Sequence, residues 1–218
     1  MHTQGIHEVL TEAIVGRHLL THPFYRRWDA GQLSPGELGA YAEQYRHIER
    51  ALPETLTAIA GALPAGRARE LVEANLADEL GSPEPHAELF ETFAAAAGAA
   101  PEARATPSTA TLLALVRTTA TKDPAAALAM VAAYEAQAAD IATTKSEGLR
   151  RHYGFDREGT RFWDVHSTQE VAHAEWSTVA LAELGADPDA VLAAAIVSAD
   201  SWWLFLTERD ELAPALVS

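Results

Sequence analysis

Apolar side chains recur three and four residues apart along almost the whole chain, which is the spacing of one buried face of an α-helix. Ile6, Leu10 and Ile14 show this spacing in the segment 5–20. The same spacing predicts a short element in HPFYRRW and further helices over about 35–62, 66–80, 86–98, 109–121, 124–148, 161–184 and from 188 toward the C-terminus. We therefore predict an all-α chain of seven to eight helices that forms a single bundle and a single domain, residues 1–218.

Capping residues and prolines mark where these helices start and end. Ser34 is followed by Pro35 and Glu37, the pattern of a helix N-terminus with a capping box. Three later helices are expected to start after a side-chain cap, at Ser108, Asp123 and Thr160. Pro53 is expected to kink or interrupt the helix 35–62, because proline removes a backbone donor.

Composition and charge narrow the functional classes. The chain has 16 basic and 31 acidic residues, a formal net charge of −15, so we expect no nucleic-acid partner. It contains no cysteine, which excludes disulfides, cysteine metal ligands and thiol nucleophiles. We find no apolar run of the roughly 20 residues that a membrane span needs, and residues 1–10 do not resemble a signal peptide. These features predict a cytoplasmic protein without a membrane partner.

The strongest chemical signal is FWDVHSTQEVAHAEW in the predicted helix 161–184. His166, Glu170 and His173 are spaced i, i+4 and i+7, which places them within roughly a 60° arc of one helix face. Two imidazoles and a carboxylate on one face can bind a transition metal such as iron, manganese or zinc. Surface residues or hydrogen-bonded core residues would give the same pattern, so the sequence leaves both interpretations open.

Two other segments carry candidate ligands. Glu135 is the carboxylate in an otherwise apolar stretch, MVAAYEAQA, where a buried acid must be paired, hydrogen-bonded or bound to metal. The alternative is a thin polar face shared with Gln137. Glu79 and His86 are separated by a glycine and two prolines, so we expect them on two segments that flank a helix break. Taken alone, that pair is also what a solvated turn would show.

Three carboxylates and three histidines from three helical regions match the ligands of a two-metal site inside a helical bundle. The six candidates are Glu79, His86, Glu135, His166, Glu170 and His173.

The order of the helices, the segment AYAEQYRHI and the ending KSEGLRRHYGF resemble the heme-oxygenase-like helical superfamily that contains TenA and PqqC. Within it, the pattern of the six candidate ligands resembles the heme-oxygenase-like di-iron oxidases, over about residues 5–210. The chain is similar to the branch called CADD, for chlamydia protein associating with death domains. The resemblance implies a heme-oxygenase-like fold, two metal ions (iron with iron, or iron with manganese), and O2 and an external reductant as co-substrates. It also implies an oxygenase that forms para-aminobenzoate for folate synthesis.

In the CADD branch the protein is understood to consume its own residues: a tyrosine supplies the aromatic ring and a lysine is implicated as the amino donor. By resemblance, these are Tyr25, 54 residues before the first candidate ligand, and Lys145, ten residues after the central one. Tyr134 and Tyr41 fall where the branch carries tyrosines that can pass electrons. Without the resemblance, Tyr25 reads as a half-buried aromatic residue and Lys145 as an ordinary cation near a helix C-terminus.

One position departs from the family pattern. The third ligand segment of the family normally reads His-x3-Asp-x2-His, and this chain has Glu170 in the Asp place. The longer side chain leaves the identity of the metal pair open.

Two other functions also stay open. The same ligands would serve a di-iron oxidase that acts on an external small molecule, by amino-acid N-oxygenation or carbon–carbon cleavage. A metal-free enzyme similar to PqqC or TenA, or a helical interaction module, is the third reading. Dimers are common in the superfamily, so the resemblance implies a homodimer. The sequence does not identify the electron donor.

Overall fold

The computed structural model describes residues 3–81 and 84–216, with side chains as far as residue 212. The described residues form nine α-helices and no strand. The helices are α1 (Thr3–Val15), α2 (Pro23–Asp29), α3 (Pro35–Ala62), α4 (Arg67–Leu80), α5 (His86–Ala96), α6 (Pro107–Lys122), α7 (Pro124–His152), α8 (Arg157–Glu183) and α9 (Pro188–Leu216). The all-α prediction is confirmed. The number of helices exceeds the predicted seven to eight because the short segment HPFYRRW forms a helix of its own, α2.

α3 starts as predicted and continues further than predicted. The Ser34 hydroxyl accepts a hydrogen bond from the Glu37 amide at 3.3 Å, and the Glu37 carboxylate accepts one from the Ser34 amide at 2.8 Å. The expected interruption before Pro53 is wrong, because the helix runs unbroken from Pro35 to Ala62. Proline costs one backbone hydrogen bond there, but Leu56 and Ile59 in the next turn are fully buried. Their packing holds the helix together.

Of the three other expected caps, one is confirmed and two are wrong. The Asp123 carboxylate accepts a backbone N–H from the first turn of α7 at 3.0 Å. α6 starts at Pro107, so Ser108 lies inside its first turn. α8 starts at Arg157 with Asp156 as its cap, and Thr160 is buried within the helix. An aspartate is a stronger cap than a threonine, and proline favours the first helical position.

Two hydrophobic clusters divide the core. One is rich in aromatic side chains, among them Trp28, Phe90 and Phe162. The other is mainly aliphatic and includes Leu10 and Leu128. The long helices α3, α7 and α8 each pass from one cluster to the other. Their buried polar side chains lie between the clusters, and this middle layer holds the candidate site.

α7 packs along α8 and α9, and α1 lies across all three of them. α4 and α5 pack between α3 and α8, and α6 packs against α3, α7 and α9. Residues Pro188–Leu212 of α9 are long and apolar enough, by length and composition, to cross a membrane, which differs from the prediction that no run reaches that length. Ala195, Phe205 and Leu206 of this helix are fully buried in the two clusters.

Candidate metal centre

Three of the six candidate ligands form one compact group. One ligand atom each of Glu79, His86 and His166 lies within 4.8 Å of the others. The His86 Nδ1 is 3.1 Å from Glu79 Oε2, and the centres of the two imidazole rings are 4.6 Å apart. All three side chains are buried. As predicted, Glu79 and His86 lie on separate segments, near the end of α4 and at the start of α5; Ser82 and Pro83 between them lie outside the described residues.

The other three ligands adjoin this group, with His173 next to Glu79. His173 Nδ1 lies 3.7 Å from Glu79 Oε1 and 3.6 Å from Glu170 Oε2. Glu135 on α7 faces Glu170, whose charge helps to raise the pKa of Glu135. The structure therefore brings all six predicted residues together, and Glu79 lies next to both His86 and His173.

Neighbouring groups orient these ligands. The Nδ1–H of His166 donates to the carbonyl oxygen of Phe162 at 2.8 Å, which leaves Nε2 as the free ring nitrogen. His173 uses Nε2 to donate to the Asp78 carboxylate at 3.1 Å, so its Nδ1 faces the other ligands. The Asn75 amide donates to Glu135 at 2.7 Å. Partners of this kind set the tautomer and direction of ligands in metal sites.

The donor set fits bound cations. Glu79 Oε1, Glu135 Oε2 and Glu170 Oε2 are all buried without a hydrogen-bond partner among the described residues. Buried carboxylate oxygens are nearly always hydrogen-bonded, ion-paired or coordinated to a metal. Imidazole nitrogens and carboxylates from four helices supply ligands for two transition-metal ions, as in other helical metal centres.

Burial and the closeness of the ligands to one another shift the pKa values of two of them. Burial raises the pKa of Glu135 to about 7, with a further contribution from Glu170. Burial acts to lower the pKa of His173, but the carboxylates of Glu170, Glu135 and Glu79 outweigh it and raise that pKa to about 9. Two of the candidate ligands thus hold protons near neutral pH that a metal ion would displace.

A further buried acid, Glu49, was missed by the sequence analysis. It lies on α3, is 5% exposed, and its Oε2 has no partner among the described residues. Burial raises its pKa well above the ordinary value, and Glu79 and Glu170 raise it further. Its spacing was a usable signal, because Tyr41, Tyr45 and Glu49 follow one another four residues apart on one face of α3.

The second predicted group surrounds Lys145, which is 1% exposed. Its Nζ donates to the Tyr41 hydroxyl at 2.6 Å and lies 4.9 Å from the centre of the Tyr25 ring. It also lies 4.6 Å from the ring centre of Tyr45 and 3.9 Å from that of Trp163. Burial lowers the pKa of Lys145 well below its ordinary value, although Glu49 and Glu170 act in the opposite direction. We call this the lysine cage: Lys145 with Tyr25, Tyr41, Tyr45 and Trp163.

A cluster of four tyrosines extends from the lysine cage to the candidate metal ligands. Tyr25 and Tyr41 share a hydrogen bond of 2.9 Å, and burial raises the pKa of both phenols. Tyr41 stacks on Tyr45 with ring centres 5.6 Å apart, and the Tyr45 hydroxyl is 2.7 Å from that of Tyr134. The predicted Tyr25, Tyr41 and Tyr134 therefore belong to one cluster, completed by Tyr45, which the sequence analysis did not single out.

An apolar cavity of about 80 Å³ lies beside the ligands. Tyr45 and Tyr134 line it together with Glu79, Glu135 and His166. Most of the remaining wall is aliphatic or aromatic, from Leu52, Leu112, Leu113, Val116, Met130 and Trp202 among others. Tyr45 and Tyr134 of the tyrosine cluster thus border the same cavity as the candidate metal ligands.

Known proteins resemble this chain in sequence and in fold. A family model described as an iron-containing redox enzyme matches residues 39–203. The 4-aminobenzoate synthase of Nitrosomonas europaea is 35% identical over 94% of this chain and 91% of its own. A solved CADD-like protein of unknown function from Nostoc punctiforme has a TM-score of 0.79 at 18% identity, covering 97% of this chain and 98% of that one. A domain of unknown function with a heme oxygenase-like fold from Shewanella denitrificans has a TM-score of 0.75 at 17% identity, covering 99% and 93%.

The chain belongs to the family of iron-containing redox enzymes and has the heme-oxygenase-like fold. The predicted family and fold are therefore confirmed, and the chain is an oxidoreductase.

Proposed function

We propose that the chain is an O2-dependent oxygenase with two metal ions, iron with iron or iron with manganese, that forms 4-aminobenzoate from its own Tyr25 with Lys145 as the amino donor. The family supports iron, and the name of the Nitrosomonas europaea relative supports the product. The observation that carries the proposal is the lysine cage: an amine 4.9 Å from the Tyr25 ring centre, in a space closed to solvent.

The carbon skeleton of the product supports a tyrosine as its source. In tyrosine and in 4-aminobenzoate alike, a benzene ring carries a carbon substituent and, opposite it, a heteroatom. The ring and Cβ of Tyr25 would supply every carbon of the product. Breaking the Cα–Cβ bond and taking Cβ to the carboxylate is a four-electron oxidation, for which O2 is the oxidant, and it leaves a glycine in the chain at position 25. The heteroatom must then change from oxygen to nitrogen, and Lys145 holds a buried amine beside the ring.

The state of Lys145 suits this exchange. Because burial lowers its pKa, the amine gives up its proton more readily than an exposed lysine does, which favours it as a nucleophile. Two-electron oxidation of the phenol turns its C–O bond into a carbonyl. The Lys145 nitrogen adds to that carbon and water leaves, giving an imine. When the ring becomes aromatic again, its electrons come from the Cε–H bond of Lys145. Hydrolysis then releases the arylamine and leaves an aldehyde at Cε.

A metal pair held by the six ligands would activate O2, with electrons from an external reductant. The tyrosine cluster provides the route between that centre and Tyr25. Tyr134 and Tyr45 line the cavity beside the ligands, and Tyr41 shares hydrogen bonds with both Tyr25 and Lys145. A proton leaving the Tyr25 hydroxyl therefore has Tyr41 as its immediate acceptor.

The test uses the purified chain loaded with Fe(II), or with iron and manganese, plus reductant and O2 and no organic substrate. Mass spectrometry should detect 4-aminobenzoate in amounts no greater than the number of chains, loss of the Tyr25 side chain, and an aldehyde at Lys145. Ring-labelled tyrosine incorporated during expression should appear in the product. Tyr25→Phe should form none, while Tyr153→Phe, which lies outside the tyrosine cluster, should remain active.

A second candidate is an oxidase that acts on an external small molecule, and the apolar cavity of about 80 Å³ beside the ligands favours it. In that case the metal-loaded chain would yield no product alone and would turn over repeatedly once its substrate is supplied. Unlabelled product from a ring-labelled chain would likewise favour this candidate over Tyr25.

We further propose that the reaction takes place in the cytoplasm and supplies 4-aminobenzoate for folate synthesis. Expression in a bacterial strain that needs added 4-aminobenzoate should restore growth without it. The Tyr25→Phe and Lys145→Met variants should not restore growth, although both should accumulate as folded protein.

A further inference from the structure

A second opening reaches the candidate metal centre from a different side. A groove of about 430 Å³ lies between α1, α7 and α8, and Glu135 and Glu170 line both this groove and the apolar cavity. The exposed side chains of His7, Asp140 and Glu175 line the groove as well. We call this opening the acidic groove.

The charge of the acidic groove favours cations. Its lining contains four carboxylates, those of Glu135, Asp140, Glu170 and Glu175, and no lysine or arginine among the residues described. None of the four forms an ion pair with a described lysine or arginine side chain (the one pair recorded for them joins Glu170 to His173). A groove lined by one sign of charge concentrates ions of the opposite sign at its inner end.

The inner end of the groove carries unsatisfied ligand atoms. Glu135 and Glu170 are each 7% exposed, and Oε2 of both lacks a hydrogen-bond partner among the described residues. By contrast, the apolar cavity on the other side is walled mainly by side chains such as Leu113, Val116 and Trp202. Glu79, Glu135 and His166 line that cavity as well, but a hydrated divalent ion that entered along its apolar wall would lose water before it reached them, at a large cost in free energy.

We propose that the acidic groove is the path by which a hydrated divalent metal ion reaches the centre. Asp140 and Glu175 attract the ion at the mouth, and Glu135 and Glu170 replace its water ligands at the inner end. The apolar cavity is left for O2. This inference rests on the proposed function only in requiring that the centre binds metal.

The experiment measures loading and does not depend on catalysis. Chelator-stripped protein is mixed anaerobically with Fe(II), or with Mn(II), and loading is stopped at intervals with excess chelator. Bound metal per chain is then determined by elemental analysis. The test variant is Asp140→Asn with Glu175→Gln. The control, Glu102→Gln with Glu183→Gln, removes the same charge from exposed positions elsewhere.

The groove variant should load roughly tenfold more slowly than the native chain at low ionic strength, and this difference should shrink in high salt. Its final metal content should equal that of the native chain. The control should load at the native rate. As a steric test, Ala174→Trp in the groove should slow loading, whereas Leu113→Trp in the apolar cavity should not.

Equal loading rates for the groove variant and the control would overturn the proposal, as would slowing by Leu113→Trp alone. If the native chain retains metal in those cases, the proposed function stands and only the path is wrong. If the native chain retains no metal at all, the path and the proposed function both fail.

Discussion

Replacing Lys145 with methionine should stabilise the folded chain and at the same time remove 4-aminobenzoate formation. Lys145 is 1% exposed and is surrounded by four aromatic rings. Its one hydrogen bond from Nζ is donated to the Tyr41 hydroxyl. Methionine has a similar length and fills irregular core space well, but it carries no group that must lose a proton on burial.

The size of the effect follows from the cost of removing a proton from a lysine. In the unfolded chain the amine has its ordinary pKa of 10.5. Each pH unit by which burial lowers this pKa costs the folded chain about 1.4 kcal/mol at a pH below both values. The variant loses the hydrogen bond to Tyr41, worth about 1 kcal/mol, while Tyr41 keeps its bond to Tyr25. Because burial lowers the pKa of Lys145 well below its ordinary value, we expect the free energy of unfolding at pH 7 to rise: a lowering of about one pH unit already offsets the lost hydrogen bond.

The pH dependence separates this explanation from better packing. Since the pKa of Lys145 is lower in the folded chain, the unfolded chain binds more protons between the two values, so native stability rises with pH. The methionine variant lacks this dependence. Its advantage should therefore shrink between pH 7 and pH 9, by at most about 1.4 kcal/mol for each pH unit. Urea unfolding of both metal-free chains at the two pH values measures the change.

Lys122→Met is the matched control, because Lys122 is exposed at the end of α6. It should change the free energy of unfolding little at either pH. An advantage of Lys145→Met that stays constant from pH 7 to pH 9 would refute the reasoning, because Lys145 would then keep its proton in the folded chain. A variant less stable than the native chain at pH 7 would refute it as well.

Three further predictions concern stability and metal binding. Gly148→Ala should lower the free energy of unfolding by about 1–3 kcal/mol, because the new Cβ would lie 2.9 Å from the Trp28 ring; an unchanged urea midpoint would contradict this. Burial lowers the pKa of His22 to about 4, against the effect of Asp210. The native chain should therefore lose stability between pH 6.5 and pH 4 relative to the His22→Asn variant, which keeps a capping side chain. Parallel curves of stability against pH for the two chains would contradict this prediction. Metal affinity should fall as the pH drops from 8 to 6, because Glu135 and His173, with pKa values of about 7 and about 9, must give up protons to bind. Calorimetry in two buffers of different ionisation enthalpy should show that metal binding releases protons. Binding without proton release would refute the assignment of Glu135 and His173 as ligands.

Local spacing was sufficient for most of the helices and failed where packing overrides it. The capping box at Ser34 and the cap at Asp123 act within one turn, so the sequence shows them directly. Pro53 was expected to kink or interrupt α3, but the helix continues to Ala62, and the buried Leu56 and Ile59 that follow the proline hold it together. That compensation comes from other helices and is absent from the local pattern.

Some candidate ligands could likewise be placed from local spacing, whereas others depend on how the helices pack. His166, Glu170 and His173 could be placed on one face from their spacing, because an α-helix turns by a constant angle per residue. The grouping of Glu79 with His86 and His166 depends on how α4, α5 and α8 pack, and spacing within any one helix does not report it. The spacing of Glu49 from Tyr41 and Tyr45 was visible in the sequence, but its proximity to Glu79 and Glu170 was not, because these two residues belong to other helices.

The sequence by itself determined an acidic, all-α chain without cysteine and a set of residues with metal-ligand chemistry, because periodicity and composition are local properties. Only the tertiary structure decided that Lys145 is buried among aromatic rings beside Tyr25, and not an exposed cation at a helix C-terminus. Tyr25, Tyr41, Lys145 and Trp163 come from four different helices. A contact between helices depends on their crossing angles and on the volumes of all the side chains between them, which no single segment of sequence contains.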